Sequence, residues 1–520
     1  MKYSILLITL LLFSQTAISQ VSDMKLTWGE KLSAKKMLVT ELLNTGEPNQ
    51  FYAINQSLKL MNRETRLEKY DDLKKTEEVD LTREYKRGEY SSQEILELNN
   101  NLYSLNYNRT KPAISLTAEG IDQGDLAVSG SPETIYNFKL TKGRKSSYGE
   151  YMSSVSNEEQ RIAYAIEHPG KDESKSVMTV KVFDDNFDKQ WSARITLPST
   201  KKLTSIYSMT VSDDGTVYLL TEVKRGKKER ERKERNYEFY LIVVSAEGIE
   251  SKEKLKLKEN YINDVKLNIA PNGDLMCGGL YSINGYISSG TFYMTLDAED
   301  YSIKEHSLKE FSMEFLTEGM SDRQTSKAKR KKDKGKDLGL THVRFRDFIA
   351  KEDGGAVLIG EYVYIYTTTT TNSNGGTTTT THYRYNNIYV INVNADGEIE
   401  WAKKIPKYQY STNDGGFYSG FFLVVKGDKL HFIFNDHSEN AGLNDASEKI
   451  MSYTRKLKTS ALMVASMDND GNYTREILVA PDKKANMRLR PKSCEQISED
   501  EFILFGISKK FNQFARVTVK

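Results

Sequence analysis

Residues 353–360 read Asp-Gly-Gly-Ala-Val-Leu-Ile-Gly, a tight-turn signature followed at once by a short apolar run. Asp-Gly and Asn-Gly favour the primed turns that join antiparallel strands without splaying them. Similar turn pairs precede other apolar runs, at Asp214-Gly215, Asn272-Gly273 and Gly427-Asp428. The chain is therefore predicted to consist largely of antiparallel strands joined by tight turns.

The apolar runs recur along the chain as an internal repeat. Their first apolar pairs are Phe51-Tyr52, Leu102-Tyr103, Ile162-Ala163, Val217-Tyr218, Leu275-Met276, Val357-Leu358, Leu430-His431 and Phe502-Ile503. The spacing ranges from 51 residues (51 to 102) to 82 residues (275 to 357), which is somewhat longer than a usual propeller blade. The excess lies in visible insertions.

Within one period four strands can be read, and in the clearest copy they span 207–212, 216–223, 238–245 and 251–257. Four antiparallel strands, repeated with no marked helical periodicity, indicate an all-β fold of the β-propeller type. Eight copies predict eight blades. The two N-terminal copies are the faintest, which leaves seven blades open.

All three tryptophans occur four residues before an Ile or Leu, in the pairs Trp28/Leu32, Trp191/Ile195 and Trp401/Ile405. Positions i and i+4 of a strand point to one face, so each pair is predicted to share a buried side. Trp28 has no strand-turn-strand before it, whereas the last copy supplies only three strands (487–496, 501–508 and 514–519). We therefore expect the segment 24–32 to complete the last blade and close the ring.

The chain begins with Lys2, an apolar stretch from Ile5 to Phe13 and a small-x-small site at Ala17-Ile18-Ser19. This pattern predicts a signal peptide at 1–19, followed by one propeller domain at 20–520 that is exported to the periplasm, the cell surface or the medium. No later segment reaches about 18 consecutive apolar residues, so no transmembrane segment is expected. Cys277 and Cys494 are expected to be buried free thiols.

The turn-strand pattern of residues 353–360 and the strand-turn-strand pattern of residues 394–401 resemble those of exported β-propeller repeat proteins of the Bacteroidota type. The resemblance extends over nearly the whole mature chain. Its motifs are structural, so it implies the fold and export. It carries no catalytic residue and no assigned activity to this sequence.

Five long insertions are predicted at 224–236, 316–340, 367–385, 407–416 and 435–460. All belong either to connections between the second and third strands of a blade or to connections between blades, which lie on one face of the disc. Variable loops on a rigid scaffold are where binding sites usually lie. The simpler alternative is that loops lengthen wherever length is tolerated.

Two of the insertions are strongly basic, and the candidate binding residues in them are Lys227, Lys228, Arg230, Arg330, Lys331 and Lys332. Like-charge blocks are usually solvated and mobile. The alternative is an anionic partner such as an acidic glycan, a cell-surface phosphate or extracellular nucleic acid. Because no aromatic residues are interleaved, nucleic acid is the least favoured of these. The net charge of +2, from 74 basic and 72 acidic residues, gives no general attraction to nucleic acid or membrane.

The insertion at 367–381 reads TTTTTNSNGGTTTTT, flanked by tyrosines on both sides. Thr favours strands and the Asn/Gly centre favours a turn, so a hairpin that extends two blade strands outward is expected. Such an arm could contact a neighbouring subunit or another partner. It could equally be a projection with no partner.

Known catalytic motifs are absent from the sequence, and no metal site or cofactor is predicted. The polar cluster at Asp436, His437 and Glu439 follows a strand and is a candidate for acid–base chemistry, against the simpler interpretation of a capped turn. Tyr410 and Asp414 are further binding candidates on the same face, although Asp414 also fits an ordinary turn.

The sequence thus favours an exported binding or scaffold module that uses its long-loop face for a glycan or protein at the cell envelope. One alternative is an extracellular glycan- or peptide-active enzyme with acid–base residues near Asp436 and His437. Such an enzyme would need two or more ionisable groups that converge on one pocket. A third is a structural protein of the envelope.

Overall fold

The fold is described from a computed structural model. It describes residues 21, 23–33, 37–57, 64–83, 90–110, 113–139, 151–168, 171–225, 236–285, 287–318, 320–336, 338–444, 449–453, 458–482, 487–508 and 511–520. The predicted signal peptide at 1–19 lies outside the described residues.

The strands form eight antiparallel sheets, called blades 1 to 8 in chain order. The first strand, β1 (Met24–Ser33), precedes them all. Blade 1 comprises β2 (Met37–Asn44), β3 (Gln50–Ser57), β4 (Thr65–Asp71) and β5 (Lys74–Asp80). Blade 2 comprises β6 (Tyr90–Leu98), β7 (Asn101–Arg109), β8 (Ala113–Ile121) and β9 (Val128–Lys139). Blade 3 comprises β10 (Tyr151–Val155), β11 (Arg161–Glu167), β12 (Lys175–Asp184) and β13 (Lys189–Thr200).

Blades 4 to 6 follow the same order. Blade 4 comprises β14 (Thr204–Val211), β15 (Val217–Lys224), β16 (Tyr237–Ser245) and β17 (Gly248–Lys254). Blade 5 comprises β18 (Tyr261–Ile269), β19 (Leu275–Ser282), β20 (Gly290–Leu296) and β21 (Ile303–Glu310). Blade 6 comprises β22 (Val343–Ala350), β23 (Ala356–Thr371), β24 (Thr377–Val393) and β25 (Ile399–Thr412). The first strands of neighbouring blades contact one another, as in β10–β14, β14–β18 and β18–β22, and so surround the axis.

Blade 7 comprises β26 (Phe422–Lys426), β27 (Lys429–His437), β28 (Ser460–Met467) and β29 (Tyr473–Val479). Blade 8 contains β30 (Arg488–Leu489), β31 (Glu495–Gln496), β32 (Glu501–Ile507), β33 (Phe511–Val519) and, as its outermost strand, β1. The eight-bladed propeller is therefore confirmed, and the seven-bladed alternative is excluded.

Ring closure by the N-terminal strand is confirmed by the pairing of β1 with β33. The two strands run antiparallel, with Met24 opposite Val519 and Trp28 opposite Ala515. The Lys520 amide also donates to the Asp23 carbonyl at 2.8 Å. The two ends of the chain are thus joined within one sheet.

Eight buried apolar clusters fill the eight interfaces between neighbouring blades. Second strands serve two interfaces at once. In β32, Phe502 and Leu504 pack towards blade 7, whereas Ile503 and Phe505 pack towards blade 1. A strand buried on both faces needs apolar residues at consecutive positions, which explains the unbroken apolar runs in the sequence.

The shared-face prediction holds for two of the three tryptophan pairs. Trp191 packs in the same cluster as Ile195, and Trp401 in the same cluster as Ile405. For Trp28 and Leu32 the prediction is wrong, because the β1–β33 register shifts between Trp28 and Lys31. This β-bulge adds one residue to β1 and reverses the alternation. Trp28 therefore packs towards blade 7 and Leu32 towards blade 1.

The structure differs from the predicted elements in two further places. The predicted strand 487–496 is divided into β30 and β31 by a 3-10 turn at Pro491–Ser493, because proline lacks the N–H that a continuous ladder needs. The insertion 316–340 begins within helix α1 (Met313–Thr317) and contains helix α2 (Asp322–Asp333), although no helix was expected. Cys277 and Cys494 are buried free thiols, as predicted.

Ring closure predicts a contrast between adjacent positions of β1. Leu26 is buried at the interface of blades 7 and 8, whereas Lys25 is exposed. We expect Leu26→Ala to lower the free energy of unfolding by about 2–4 kcal/mol, since it leaves a cavity in this interface. Lys25→Ala should stay within about 0.5 kcal/mol of the parent. Denaturant unfolding of both variants checks this, and equal stabilities would contradict the role of β1.

Candidate functional site

The five insertions stand in connections between second and third strands or between blades, and their common placement on one face of the disc stays a prediction. Turns between first and second strands, and between third and fourth strands, are short. Among the described residues the insertions take different forms. Residues 367–385 form an extended hairpin, 407–412 continue β25, and 435–437 continue β27. We call the extension of blade 6, formed by residues 362–385 and 408–412, the arm.

The arm begins where blade 6 loses its innermost strand. The last pair between β22 and β23 is Val343 with Tyr362, whereas β23 continues in register with β24 to the pair Thr371 and Thr377. A turn closes the tip, with the Asn372 side-chain oxygen accepting from the Gly376 amide at 2.7 Å. The predicted hairpin is therefore confirmed, with β25 as a third strand up to Thr412.

One face of the arm carries a row of ring side chains, which we call the ring ladder. The ring centroids of His342 and Tyr364 lie 4.2 Å apart, those of Tyr364 and Tyr366 lie 5.0 Å apart, and those of Tyr366 and His382 lie 4.5 Å apart. The ladder ends at Tyr410, whose hydroxyl lies 2.7 Å from His382 Nδ1. Neighbouring rings in most of the ladder are nearly parallel, so they largely cover one another's faces.

Arg384 lies beside the ladder on the same face of β24. Its guanidinium carbon is 5.6 Å from the Tyr366 ring centroid and 5.7 Å from that of Tyr410, within the range of cation–π attraction. Tyr410, a binding candidate from the sequence, is 39% exposed and Ile365, on the other face of the arm, is 49% exposed. The arm thus presents ring edges, hydroxyl groups and an apolar side chain to solvent.

Asp414, the other candidate near Tyr410, belongs to the turn that follows β25. Its Oδ1 accepts from Ser411 Oγ at 2.7 Å and from the Gly416 amide at 3.0 Å. These contacts are those of an ordinary aspartate turn. Asp414 therefore fixes the chain that leaves the arm.

The basic candidates fall into two groups. Lys227, Lys228 and Arg230 lie outside the described residues. Arg330, Lys331 and Lys332 lie in the last turn of α2, where all three are exposed. Gln324 Oε1 accepts from the Ser321 amide at 3.0 Å and so caps the start of α2. The cations at the other end of α2 interact favourably with the negative end of the helix dipole. The second basic block is thus an exposed helix rather than an irregular loop.

The Asp436, His437 and Glu439 cluster does not converge on one cavity. Asp436 and His437 are consecutive in β27 and therefore point to opposite faces. Asp436 is fully buried, whereas Glu439 is exposed. Burial raises the pKa of the Asp436 carboxyl, opposed by nearby Arg475 and by hydrogen bonds from the His437 amide and the Asn440 side chain. The arrangement is that of an internal polar contact.

Sequence reasoning missed a buried charged group at the base of the arm. Lys407 Nζ lies 2.6 Å from Glu361 Oε1, and both side chains are fully buried. Lys407 also donates to the Tyr385 carbonyl at 3.2 Å and to Gln409 Oε1 at 3.0 Å, and Arg346 lies 2.9 Å from Glu361 Oε2. Burial lowers the pKa of the Lys407 ammonium, an effect that Glu361 opposes. This group joins all four strands of blade 6 where the arm leaves the disc.

A second missed feature is an acidic cavity of about 430 Å³ between the first strands of blades 1, 2 and 8. Its lining carboxylates are Glu41, Glu94, Glu97, Glu159 and Glu495. Burial, with repulsion from Glu41 and Glu97, raises the pKa of Glu495 to about 8. Among the described residues, no three His, Cys, Asp or Glu side chains are placed to hold one metal ion.

No protein-family model matches this chain, and no curated protein matches it. Among solved structures, it is similar to the WD40 domain of SCAP from fission yeast, at 8% identity and a TM-score of 0.41, over 95% of this chain and 94% of that one. It is also similar to Sqt1 from Chaetomium thermophilum, at 8% identity and a TM-score of 0.41, over 94% of this chain and 98% of that one.

A third similar structure is the polysaccharide lyase Uly1, at 11% identity and a TM-score of 0.32, over 82% of this chain and 89% of that one. The class of protein therefore rests on the sheet topology itself, which is that of a β-propeller. Among the described residues, no helix is long and apolar enough to cross a membrane.

The group at the base of the arm predicts strong coupling between Glu361 and Lys407. We expect Glu361→Met to lower the free energy of unfolding by about 3–5 kcal/mol, because it leaves a buried ammonium without its partner. Glu361→Met with Lys407→Met should recover most of that loss, since apolar groups of similar volume then fill the site. Urea unfolding of the singles and the double measures the coupling. Glu352→Met, at an exposed position, serves as the control. If the stability losses of the two single variants add up in the double variant, the coupling is contradicted.

The acidic cavity predicts a pH-dependent stability. Between about pH 4.5, the ordinary pKa of a glutamate, and about 8, folded Glu495 keeps a proton that the unfolded chain releases, so the free energy of unfolding falls as pH rises. Glu495→Gln should therefore stabilise the protein at pH 9 by about 1–2 kcal/mol after allowance for solvent screening, and have no effect at pH 4. Melting curves at both pH values test this, with exposed Glu499→Gln as the control. An equal effect at both pH values would contradict the assignment.

Proposed function

We propose that this protein is an exported β-propeller that binds a partner protein through the arm of blade 6. The observation that carries the proposal is the ring ladder with Arg384, held on a rigid three-stranded extension. Tyr and Arg are enriched at protein interfaces because they combine a large contact area with hydrogen-bonding groups. The arm supplies both from one face.

The arrangement of the rings favours a protein partner over a glycan. Sugars stack on open ring faces, whereas the Tyr366 ring already stacks with Tyr364 at 5.0 Å and with His382 at 4.5 Å between ring centroids. Ring edges and hydroxyl groups remain on the outside. Such groups suit the mixed polar and apolar surface of another protein.

The base of the arm supports this function because it is held by buried contacts. Lys407, Glu361 and Gln409 link the strands from which the arm extends. A contact surface fixed before binding loses less conformational entropy when the partner arrives. The arm is therefore suited to bind without first becoming ordered.

Other expectations from the sequence remain predictions. Export follows from residues 1–19, and an anionic partner follows from the exposed cations of α2. The alternative of a glycan- or peptide-active enzyme also stays a prediction. The five carboxylates that share a cavity are those of the acidic cavity between blades 1, 2 and 8.

Site-specific photo-crosslinking tests the proposal. A photoreactive amino acid at Thr368, on the same face of the arm as the ring ladder, is compared with one at Thr134 on β9, because both positions are exposed threonines within a strand. In the native host we expect Thr368 to give a discrete protein adduct at least about fivefold more abundant than any adduct at Thr134. Equal labelling at the two positions, or no adduct at Thr368, would contradict the proposal.

A further inference from the structure

We propose that the partner of the arm is a second copy of this chain, which pairs antiparallel along the free edge of β23. This inference rests on the proposed function, since it names the occupant of the same arm. The edge in question runs from Tyr364 to Thr371, because the Val363 amide already donates to the His342 carbonyl at 2.8 Å.

The free edge arises because β23 extends beyond the end of its inner neighbour, β22. Beyond Val363, β23 pairs with β24 on one side, and the described part of the chain supplies no strand on the other. At about 3.4 Å per residue this leaves an edge roughly 27 Å long. The outward amides and carbonyls of such an edge are a template for another strand.

Other exposed edges of this molecule carry charges, which discourage unwanted pairing. The outermost strand of blade 1, β5, reads KKTEEVD, that of blade 4, β17, reads GIESKEK, and that of blade 5, β21, reads IKEHSLKE. Charged side chains at edge positions are a common protection against strand addition. The outermost strands of these blades are thus protected against the addition of another strand.

The arm lacks this protection. Residues 362–383 contain no Lys, Arg, Asp, Glu or Pro, although 28% of the whole chain is Asp, Glu, Lys or Arg. The bulge at Tyr362 lies at the base, before the free edge begins. Nothing in the composition of this edge opposes the addition of a strand.

The neutrality of the edge favours a second copy as the occupant. Antiparallel self-pairing places each strand opposite its own sequence, so any charge near the two-fold axis would face a like charge. Here the residues from the middle of the edge to its tip, Thr367 to Thr371, are threonines, which form favourable cross-strand pairs. Arg384 lies on β24, one strand away from the edge.

The geometry of a two-fold pair also continues the ring ladder. In a pair of antiparallel edge strands the two-fold axis is perpendicular to the sheet, so both copies show the same face on the same side. The side chains of Tyr364 and Tyr366 from the two copies then line one continuous surface. The combined sheet would have six strands across the two arms, three from each copy.

The first test is sedimentation equilibrium of the full mature chain over a range of concentrations. We expect reversible dimerisation of the parent, and Thr368→Lys with Thr370→Lys should weaken it by about tenfold or more, since like charges from both copies then lie close to the two-fold axis. The matched control is Thr378→Lys with Thr380→Lys, which places the same charges on the cross-strand partners of these residues in β24. A parent that stays monomeric at all concentrations overturns the proposal. The proposal is also overturned if the control variant weakens the dimer as much as the β23 variant.

A second test fixes the edge and separates this inference from the proposed function. Thr367→Cys, at the centre of the free edge, should form an intermolecular disulfide under mild oxidation, whereas Thr379→Cys on β24 should not. Cys277 and Cys494 are buried and do not compete. Mass spectrometry of the Thr368 adduct then identifies the occupant. A second copy supports the inference, a different protein overturns it while leaving the proposed function intact, and no adduct contradicts the proposed function.

Discussion

Burial of both faces of each blade is the constraint on which the rest of this structure depends. A single four-stranded sheet with two apolar faces is stable only between two neighbours, and the eight apolar clusters lie between consecutive blades around the whole ring. An open ring would leave one such interface exposed at each end. Pairing of β1 with β33 joins the final blade to the start of the chain, so the last interfaces are formed by the same means as the first.

A scaffold of this kind allows little variation of the chain inside the disc and much more where strands and connections leave it. Where the blade 6 strands pass beyond the disc, their polar groups must be satisfied locally. Glu361, Lys407 and Gln409 do this at the base of the arm, where the cost of burying charge is offset by close contacts. The arm and its anchor therefore form one unit, in which a buried polar group sets the direction of an exposed strand pair.

The blade pattern could be predicted from the sequence because its signals are local. An Asp-Gly turn followed by consecutive apolar residues encodes both the hairpin and the two buried faces, and the Thr-rich hairpin follows from the same logic. The bulge after Trp28 has no comparable local signal. Helix α2 had one, since Ser321 and Gln324 form a capping pattern, but its high charge favoured the interpretation of a solvated loop. Contacts such as Glu361 with Lys407 join strands far apart in sequence, so only the three-dimensional register reveals them.

The position of β1 has a consequence for how the chain acquires its structure. β1 precedes the other described strands and pairs with β33, which follows them, and its bulge lets Trp28 and Leu32 contact two different interfaces. Contacts between such distant segments carry a high entropic cost and form slowly. Blades 1 to 7 can assemble in order during synthesis, but β1 must wait, unpaired, until β33 has been made. Closure of the ring is thereby tied to the arrival of β33, and a product that lacks β33 is left with an open ring and an unpaired β1.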